Sequence, residues 1–335
     1  MNKILIIDPG KGWGQFVSKM YCYQKLANHF NSRIIFLTKR STQAEHYLKS
    51  LSFCEDVLYM EEPKKGIRNI LSNIKSIFIN IKKINHFQIE ECYVFHPSLR
   101  YLFIAYLSNI NEIWGLGFKF QNFFLKKNKR FYSSFFSKTR GDNEALEAVK
   151  KITNSQKIDY QPLSSVENSL RDTVGIIIAA SGNEKRWAIT NYLKIIKFLK
   201  EKNYKKFLII SGLDQLKDEN LIKENFNQNT EIIFTSDKKI SDVIPYLKKC
   251  KFCIGNDTGF AHLSVNLDIE TLVIQGDCPP QYYSKLLKHV DIESDVARSP
   301  TSIHSIKIEK VLDELSKLLN RRGGRVVEGA RLESV

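Results

Sequence analysis

The stretch 256–263 places a carboxylate, a hydroxyl and an imidazole close together, as Asn256-Asp-Thr-Gly-Phe-Ala-His-Leu263. Residues 251–254, just before it, are mostly apolar and predict a short buried strand. The apolar residues that begin with Phe260 recur at helical spacing. The motif is therefore predicted to lie at a strand-to-helix junction.

Two interpretations of this junction follow from its residue types. Asn256 or Asp257 could cap the helix, which is a common structural role for these residues. In the second interpretation, the amides of Thr258 and Gly259 face outward at the positive end of the helix dipole, where a phosphate is stabilised. His262 is then a further candidate ligand group instead of an ordinary helix residue.

A second candidate site follows the first predicted strand, residues 4–7, as the glycine-rich turn Asp8-Pro-Gly-Lys-Gly-Trp-Gly-Gln15. Backbone of this kind can approach a ligand closely because glycine has no side chain. Its glycines do not fit the spacing Gly-x-Gly-x-x-Gly, and the predicted strand 33–38 ends in Lys39 and Arg40 without a ribose-binding acid. A nicotinamide dehydrogenase is accordingly disfavoured.

The length of 335 residues suits two domains of roughly 150 residues each. Predicted strands alternate with helices in both halves, which indicates an α/β fold with parallel sheets covered on both faces. We predict an N-terminal domain at 1–155, a linker at 156–172 and a C-terminal domain at 173–320. Residues 321–335 change composition abruptly and are predicted to be a disordered or non-native tail. A cleft between two Rossmann-like halves is the default binding site.

The cysteines and the apolar runs predict a cytoplasmic protein. Its six cysteines are scattered, which indicates reduced thiols. No apolar signal region opens the chain, and no run reaches the length of a membrane span.

The net charge of +15 is concentrated in two segments. Six basic residues lie between Lys64 and Lys83 and seven between Lys119 and Arg140, with no acidic residue in either segment. Such segments favour an anionic partner. Because the apolar residues of 67–81 follow the helical period, this segment is either a crossover helix with a solvated basic face or a helix whose basic side faces an anionic membrane or acceptor.

Aromatic and basic residues are interleaved between positions 118 and 136. They could stack on single-stranded nucleic acid, lie in a membrane interface or form part of the core of a loop. We favour the membrane interface, because no RNA-binding signature accompanies the charges. A nucleic-acid partner is therefore not expected.

Three more motifs follow predicted strands of the second half: Ala180-Ser-Gly-Asn-Glu-Lys-Arg-Trp187, Ser211-Gly212 and Gln275-Gly-Asp-Cys-Pro-Pro280. Taken in order with the first strand, its glycine turn and the stretch 256–263, these motifs resemble the heptosyltransferase family, glycosyltransferase family 9, whose members have the GT-B architecture of two Rossmann-like domains. The resemblance covers most of residues 1–320.

The resemblance implies which residues bind a donor. Lys185 looks like the family lysine that meets the donor phosphates. A lysine and a helix N-terminus that converge would stabilise a departing nucleoside diphosphate without a metal, and the chain has no Asp-x-Asp sequence, so we expect no metal and no cofactor. The other donor-binding residues implied by the resemblance are Ser181, Asp257, Thr258, Gly259 and His262.

One position departs from the family pattern. The family's glycine turn carries an aspartate that acts as general base, and Gln15 stands at the corresponding place. A glutamine amide cannot serve as a base. The remaining candidates are Asp8, which follows the first strand, and His96, which follows the predicted strand 92–95, and each also has a plausible structural role. A third possibility is a protein that binds a sugar nucleotide without turnover.

We therefore predict an inverting, metal-independent glycosyltransferase. It would move a heptose or related sugar from a nucleotide-diphosphate donor, ADP-heptose, to lipopolysaccharide or another surface glycan. Its partners would be the nucleotide sugar, an anionic glycolipid acceptor and the inner face of the cytoplasmic membrane, where the protein would be peripheral. The alternative is a catalytically silent sugar-nucleotide-binding or scaffold protein of the same fold.

Overall fold

The computed structural model describes residues 2–10, 12–49, 51–62, 67–116, 119–126, 141–155, 162–163, 170–226 and 230–332. The chain divides into two compact units, Met1–Leu163 and Ser164–Val335. This division falls inside the segment 156–172 predicted as a linker, while the domain boundaries themselves stay a prediction. Within the described residues, no helix is both long and apolar enough to cross a membrane.

The first unit contains a parallel sheet with helices between its strands. Its strands are β1 (Lys3–Ile7), β2 (Arg33–Thr38), β3 (Cys54–Tyr59), β4 (Glu91–Val94) and β5 (Glu112–Gly115). They are ordered β3-β2-β1-β4-β5. The helices are α1 (Trp13–Val17), α2 (Met20–Phe30), α3 (Glu45–Leu48), α4 (Ile70–Asn85), α5 (Leu99–Leu107) and α6 (Gly141–Thr153).

The second unit repeats this plan with one more strand. Its strands are β6 (Thr173–Ile177), β7 (Lys206–Ile210), β8 (Glu231–Phe234), β9 (Cys250–Asn256), β10 (Glu270–Gln275) and β11 (Leu287–Asp291). They are ordered β11-β10-β9-β6-β7-β8. The helices are α7 (Ile189–Glu201), α8 (Leu216–Asn225), α9 (Ile240–Lys248), α10 (Gly259–Asn266) and α11 (Ile308–Leu332).

The strand order of each sheet reverses once, at its first strand. In the first sheet β1 lies between β2 and β4, and in the second sheet β6 lies between β7 and β9. These central strands are buried along almost their whole length, because helices cover both faces of a parallel sheet. The prediction of an α/β chain with two Rossmann-like units is confirmed. In such sheets, ligands bind at the carboxyl ends of the strands where the order reverses.

Helix α4 departs from its sequence prediction. Of the two interpretations of its sequence, a crossover helix with a solvated basic face implies that the apolar face is packed, yet Ile70, Leu71, Ile74 and Phe78 are exposed. The buried face instead carries Ser76 and Asn80 together with Ile81 and Ile84. Hydrogen bonds to Arg100 and Glu61 explain how the polar pair is accommodated there.

Two further elements differ from the prediction. Strand β11 was not predicted, because its sequence Leu-Lys-His-Val-Asp lacks a continuous apolar run. Among the described strands it pairs with β10 alone, at the sheet edge. Helix α11 continues to Leu332, so residues 321–332 of the predicted tail are helical and not disordered, while their non-native origin stays a prediction. Arginine, alanine and leucine favour helix even without apolar periodicity. Most of the aromatic and basic segment 118–136 lies outside the described residues.

Candidate functional site

The predicted strand-to-helix junction is present at the carboxyl end of β9. Helix α10 begins at Gly259, and Thr258 occupies the N-cap position without a side-chain hydrogen bond to the helix. Neither Asn256 nor Asp257 is the N-cap, so that interpretation of the sequence is wrong. The reason is that Asn256 still belongs to β9 and directs its amide toward a neighbouring loop.

Asn256 is fully buried and joins β9 to the loop 178–188 that follows β6. Its Oδ1 accepts hydrogen bonds from the Trp187 backbone N–H at 3.1 Å and from the Tyr192 hydroxyl at 2.7 Å. Its Nδ2 donates to the Ile178 carbonyl oxygen at 2.7 Å. The side-chain amide therefore fixes both ends of the loop against the end of β9.

Gly255 allows β9 and β6 to approach each other closely at the residue before Asn256. Its φ is +156°, a conformation that L side chains rarely adopt, and a Cβ added there would lie 2.0 Å from the Ile177 carbonyl oxygen. Only glycine fits this position. The close approach of β9 to β6 brings Asp257 to the same sheet edge as the loop 178–188.

Lys185, in that loop, pairs with Asp277 in the loop that follows β10. Their Nζ and Oδ2 atoms are 2.6 Å apart. The hydrogen bond to Asp277 raises the pKa of Lys185 against the opposing effect of burial. Burial acts to raise the pKa of Asp277, but hydrogen bonds from Cys278 and Lys185 outweigh it, so that pKa is lowered. The pair therefore stays charged around neutral pH.

Asp277 also belongs to a cluster of two carboxylates and a thiol. Asp257, Asp277 and Cys278 each offer one ligand atom, and these atoms lie within 4.8 Å of one another. The Cys278 Sγ donates to Asp277 Oδ1 at 3.0 Å and lies 4.0 Å from Asp257 Oδ2. The Lys185 ammonium already neutralises Asp277, which weakens the attraction of this cluster for a metal ion. Metal independence stays a prediction.

His262 lies one turn into α10 between an acid and a phenol. Its Nε2 is 3.4 Å from Asp257 Oδ1, and its Nδ1 is 2.8 Å from the Tyr283 hydroxyl. The Asp257 and His262 side chains are only 9% and 5% exposed, so both are held by packing as well as by polar contacts. The predicted residues Asp257 and His262 are therefore in contact, and Tyr283 fixes the other ring nitrogen.

Further hydrogen-bond donors lie at the same sheet edge as the loop that carries Lys185. The Thr258 Oγ1 is buried and has no hydrogen-bond partner among the described residues. Gly259 starts α10, and the first amides of a helix lack intrahelical acceptors. Ser181 is exposed in the loop 178–188. Together with Lys185, these groups make the reversal point of the second sheet suitable for an anion.

Four contributors to this site were not predicted as site residues. Asn256 was considered only as a cap, and Tyr283 was not singled out. Asp277 and Cys278 belong to the motif Gln275-Gly-Asp-Cys-Pro-Pro280, which supported the family resemblance. The position of that motif directly after a predicted strand is the signal that could have identified them, because neighbouring parallel strands end at the same edge.

The two predicted base candidates lie at the reversal point of the first sheet. Asp8 follows β1, is 1% exposed, and accepts hydrogen bonds at Oδ2 from the Lys19 Nζ at 2.7 Å and from the Tyr23 hydroxyl. Burial and, secondarily, the nearby Asp8 charge raise the pKa of Tyr23 well above its usual value, so this phenol stays protonated. The other carboxylate oxygen, Oδ1, faces the glycine turn, where a Cβ added at Gly10 would be 3.7 Å away.

His96 follows β4 and is half-buried. Its Nδ1 accepts a hydrogen bond from the Ser98 backbone N–H at 3.0 Å, and its ring packs edge-on against Tyr101 at a centroid distance of 5.0 Å. A neutral imidazole that accepts at Nδ1 carries its proton on Nε2. Gln15, at the position where the family resemblance predicts a base, is exposed in α1.

Comparison with known proteins agrees with the family resemblance. The model of glycosyltransferase family 9 (heptosyltransferase) matches residues 130–306, which is more than half of the chain. That range includes all the predicted donor-binding residues and excludes the predicted base candidates. A sequence search of curated proteins finds no significant match.

Solved structures are similar over nearly the whole chain. A family 9 glycosyl transferase from Veillonella parvula has a TM-score of 0.74 at 13% identity and covers 96% of this chain and 98% of its own. The E. coli heptosyltransferase WaaC with ADP has a TM-score of 0.71 at 12% identity, covering 94% and 99%. E. coli ADP-heptose LPS heptosyltransferase II has a TM-score of 0.70 at 17% identity, covering 96% and 99%. At these identities the likeness shows the fold, which is GT-B.

Proposed function

Because this chain belongs to glycosyltransferase family 9 and is therefore a glycosyltransferase, we propose that it transfers a heptose or related sugar to a surface glycan. The donor is a nucleotide-diphosphate sugar, ADP-heptose, and the acceptor is lipopolysaccharide or a similar anionic glycolipid. Transfer inverts the anomeric centre and uses no metal. The choice of ADP-heptose is supported by the E. coli proteins of similar fold, which are described with ADP or as ADP-heptose enzymes.

The observation that carries the donor proposal is the position of Lys185. It lies at the reversal point of the second sheet, held by the Asn256 amide through its loop and paired with Asp277 at 2.6 Å. A diphosphate at the start of α10 would meet a lysine and the positive end of a helix dipole. We propose that Ser181, Thr258 and Gly259 also bind the diphosphate.

The groups that bind the diphosphate also stabilise it as it leaves. When the bond from the sugar to the diphosphate breaks, negative charge grows on the departing phosphate oxygen. A fixed ammonium and oriented amides stabilise that charge without rearrangement, which lowers the barrier. Asp257 and His262 form a contacting pair at the start of α10, and we propose that they shape the donor pocket beside the diphosphate.

The acceptor hydroxyl needs a base, and we propose Asp8 ahead of His96. The Asp8 Oδ2 is held by Lys19 and Tyr23, which leaves the carboxylate oriented with Oδ1 toward the glycine turn. His96 Nδ1 is already occupied by the Ser98 amide, and Nε2 carries the proton of the neutral ring. His96 would have to break that bond before it could accept a proton.

Donor binding is the first test of this proposal. ADP-heptose at 100 times its dissociation constant should add about 2.7 kcal/mol to the free energy of unfolding. The measurement is the melting temperature of the purified protein with ADP-, UDP- and GDP-sugars at equal concentration. A rise with ADP-heptose that exceeds the others supports the donor assignment, whereas no rise with any of them contradicts it.

Replacement of Asp8 by asparagine is expected to lower kcat about 10²–10⁴-fold, the usual contribution of a positioned general base. The same change breaks a buried ion pair with Lys19, so the free energy of unfolding should fall by about 3–5 kcal/mol. Both kcat and the melting temperature are measured at a temperature where the variant is folded. The donor dissociation constant should stay unchanged.

Tyr23→Phe is the matched control for Asp8→Asn. It removes one hydrogen bond to Asp8 but keeps the carboxylate, so it should lower stability by about 1–2 kcal/mol and leave kcat within a few-fold. If Asp8→Asn has normal kcat, Asp8 is structural, and a loss of activity in His96→Gln would identify His96 as the base. Donor binding without turnover in the unmodified protein would favour the sugar-nucleotide-binding alternative, for which Gln15 in place of a carboxylate is the supporting observation.

A lipid-linked acceptor requires that the enzyme works at a membrane surface. We propose that the enzyme acts as a peripheral protein at the inner face of the cytoplasmic membrane, where a lipid-linked acceptor is exposed. The net charge of +15 supports an anionic acceptor surface of this kind.

A further inference from the structure

Helix α4 exposes large apolar side chains that no other described element covers. Leu71 is 82% exposed and Phe78 61%, and Ile70 and Ile74 are also exposed. Single exposed apolar residues are ordinary, but a group on one helix face marks an interaction surface. At helical spacing these four residues form one continuous strip, here called the α4 strip.

Packing on the opposite face of α4 holds this strip away from the core. On the opposite side of α4, the Ser76 hydroxyl accepts a hydrogen bond from Arg100 at 2.7 Å. The Asn80 side chain accepts from the Glu61 N–H at 2.8 Å and donates to the Glu61 carbonyl oxygen at 3.1 Å. Rolling the helix to bury the α4 strip would break these buried hydrogen bonds, so the exposure is built into the packing.

A line of positive charge borders the α4 strip. Arg68, Lys75 and Lys82 are all exposed and follow one another at intervals of seven residues. Seven residues are close to two helical turns, so these side chains lie along one edge of the helix and its leading turn. No acidic residue occurs between positions 64 and 83. Lys83 differs, because it turns inward to the Tyr59 carbonyl oxygen and to Glu61.

We propose that the α4 strip and its basic border dock this protein onto an anionic phospholipid bilayer. The helix would lie flat in the interface, with Leu71 and Phe78 at the boundary between headgroups and acyl chains and the three cations on lipid phosphates. The inference rests on the proposed function in one respect, since it names the surface by which the enzyme reaches a lipid-linked acceptor. Vesicle binding itself requires neither donor nor transfer.

Charge complementarity favours an anionic bilayer over a second copy of the chain or a nucleic acid as the partner of the α4 strip. A second copy of the chain packed strip to strip would bring two lines of positive charge together, which is repulsive. Single-stranded nucleic acid stacks on aromatic rings, whereas three of the four residues in the α4 strip are aliphatic. An anionic bilayer offers an apolar phase and a phosphate layer at the same boundary, and so matches both parts of the surface.

The test is co-sedimentation of the full chain with vesicles. Vesicles of phosphatidylethanolamine and phosphatidylglycerol should bind the protein, with affinity that falls as salt rises, and phosphatidylcholine vesicles should bind it at least tenfold more weakly. Leu71→Ser with Phe78→Ser should lower the partition coefficient about tenfold or more. Replacement of Arg68, Lys75 and Lys82 by glutamine should lower it roughly a hundredfold.

A charge-matched control distinguishes the surface from net charge. Lys194, Lys197 and Lys205 are exposed in the second unit, and their replacement by glutamine removes the same charge. That variant should bind vesicles within about threefold of the unmodified protein, because these lysines belong to the second unit and are not part of the basic border of the α4 strip. All substituted side chains are exposed, so the melting temperatures should agree.

Insertion depth gives an independent readout. The Leu71→Trp variant should gain a fluorescence component that lipids brominated on the acyl chain quench, whereas purely electrostatic attachment would leave it unquenched. Absence of vesicle binding, equal losses in both glutamine variants or an unquenched signal from the Leu71→Trp variant would each overturn the proposal. Self-association abolished by Leu71→Ser, without vesicle binding, would assign the surface to a second copy instead. Donor-induced stabilisation is measured separately, so failure here leaves the glycosyltransferase assignment intact.

Discussion

Replacement of Lys185 by methionine is expected to lower kcat for sugar transfer about 10²–10³-fold, the usual effect of removing one group that stabilises developing negative charge. Methionine keeps much of the length and volume of the side chain but removes the ammonium. Its loss leaves the departing diphosphate with only the amides and hydroxyls at the start of α10. The measurement is kcat and KM for the donor, compared with the unmodified enzyme.

The fold should tolerate this change. The Lys185 side chain is 37% exposed, and a partly exposed ion pair contributes at most about 1 kcal/mol. Asp277 keeps its hydrogen bond from Cys278, so the loop after β10 retains a contact. The melting temperature should therefore change little, and the loss of activity should not come from unfolding.

Lys206→Met is the matched control. Lys206 forms an ion pair of the same length, 2.6 Å, with Asp172, and a hydrogen bond to that acid also raises its pKa. It begins β7, at the amino edge of the same sheet, and so lies at the opposite end from the proposed donor site. This variant should keep normal kcat and KM. Equal losses in both variants would show that general charge, and not the position of Lys185, governs activity.

The pH profile gives a second check on this pair. The pKa of Lys185 is raised, so its contribution to the free energy of unfolding is present at neutral pH. That contribution is lost only as pH rises through the raised pKa. The pKa of Asp277 is lowered, so its contribution is lost only as pH falls through the lowered value. Neither group titrates near neutral pH. A change in kcat near neutrality would therefore come from a group outside this pair.

Replacement of Asn256 by aspartate is expected to lower the free energy of unfolding by about 3–5 kcal/mol, as for an uncompensated buried charge. The two side chains have nearly the same shape, so the packing is unchanged and only the hydrogen-bonding chemistry differs. A carboxylate oxygen would replace the Nδ2 donor and would lie 2.7 Å from the Ile178 carbonyl oxygen. Two acceptors at that distance repel in a buried site.

Replacement of Asn256 by aspartate should also lower the affinity for the donor. The loop 178–188 is held by the Asn256 amide through Trp187 and Ile178, and the same loop carries Lys185. A loop released from β9 no longer presents the ammonium at a fixed position, so donor affinity should fall at least tenfold even where the protein remains folded. Isothermal titration with ADP-heptose below the melting temperature measures this effect.

The pH dependence separates this mechanism from a general defect. A buried aspartate has a raised pKa, so it is protonated as pH falls, and the neutral carboxyl group can again donate to Ile178. The Asn256→Asp variant should therefore recover part of its stability at about pH 5 relative to pH 7.5. Asn220→Asp, on the exposed side of α8, should change stability by less than about 0.5 kcal/mol at either pH. An Asn256→Asp protein with normal melting temperature and donor affinity would contradict the proposed role.

The candidate site divides into a part that sequence could predict and a part that it could not. Lys185, Asp257 and His262 lie in short motifs whose residue types already suit an anion, and each follows a predicted strand. The Asp277 partner of Lys185 is 92 residues away in the chain, and no local pattern connects the two. Only the order of strands in the sheet brings the loops after β6 and β10 to one edge, with β9 between them.

The same distinction applies to α4 and to the cap of α10. Periodicity predicted that α4 is an amphipathic helix, and it is, but the period cannot state which face is turned inward. The polar pair Ser76 and Asn80 is buried because Arg100 and the Glu61 backbone supply partners. Asn256 has the residue type of a cap, yet it bonds to Trp187 and Tyr192, which only the packed fold places beside it.

By itself, the sequence determined the alternation of strands and helices, the division into two Rossmann-like units and the family. These properties depend on apolar runs, helical periods and short motifs, all of which are local along the chain. The tertiary structure decided the partners of the functional side chains: Asp277 for Lys185, Tyr283 for His262, and Lys19 and Tyr23 for Asp8. Hydrogen bonds and ion pairs act over about 3 Å in space regardless of separation in the chain, so they are settled only when strand order and packing bring those residues together.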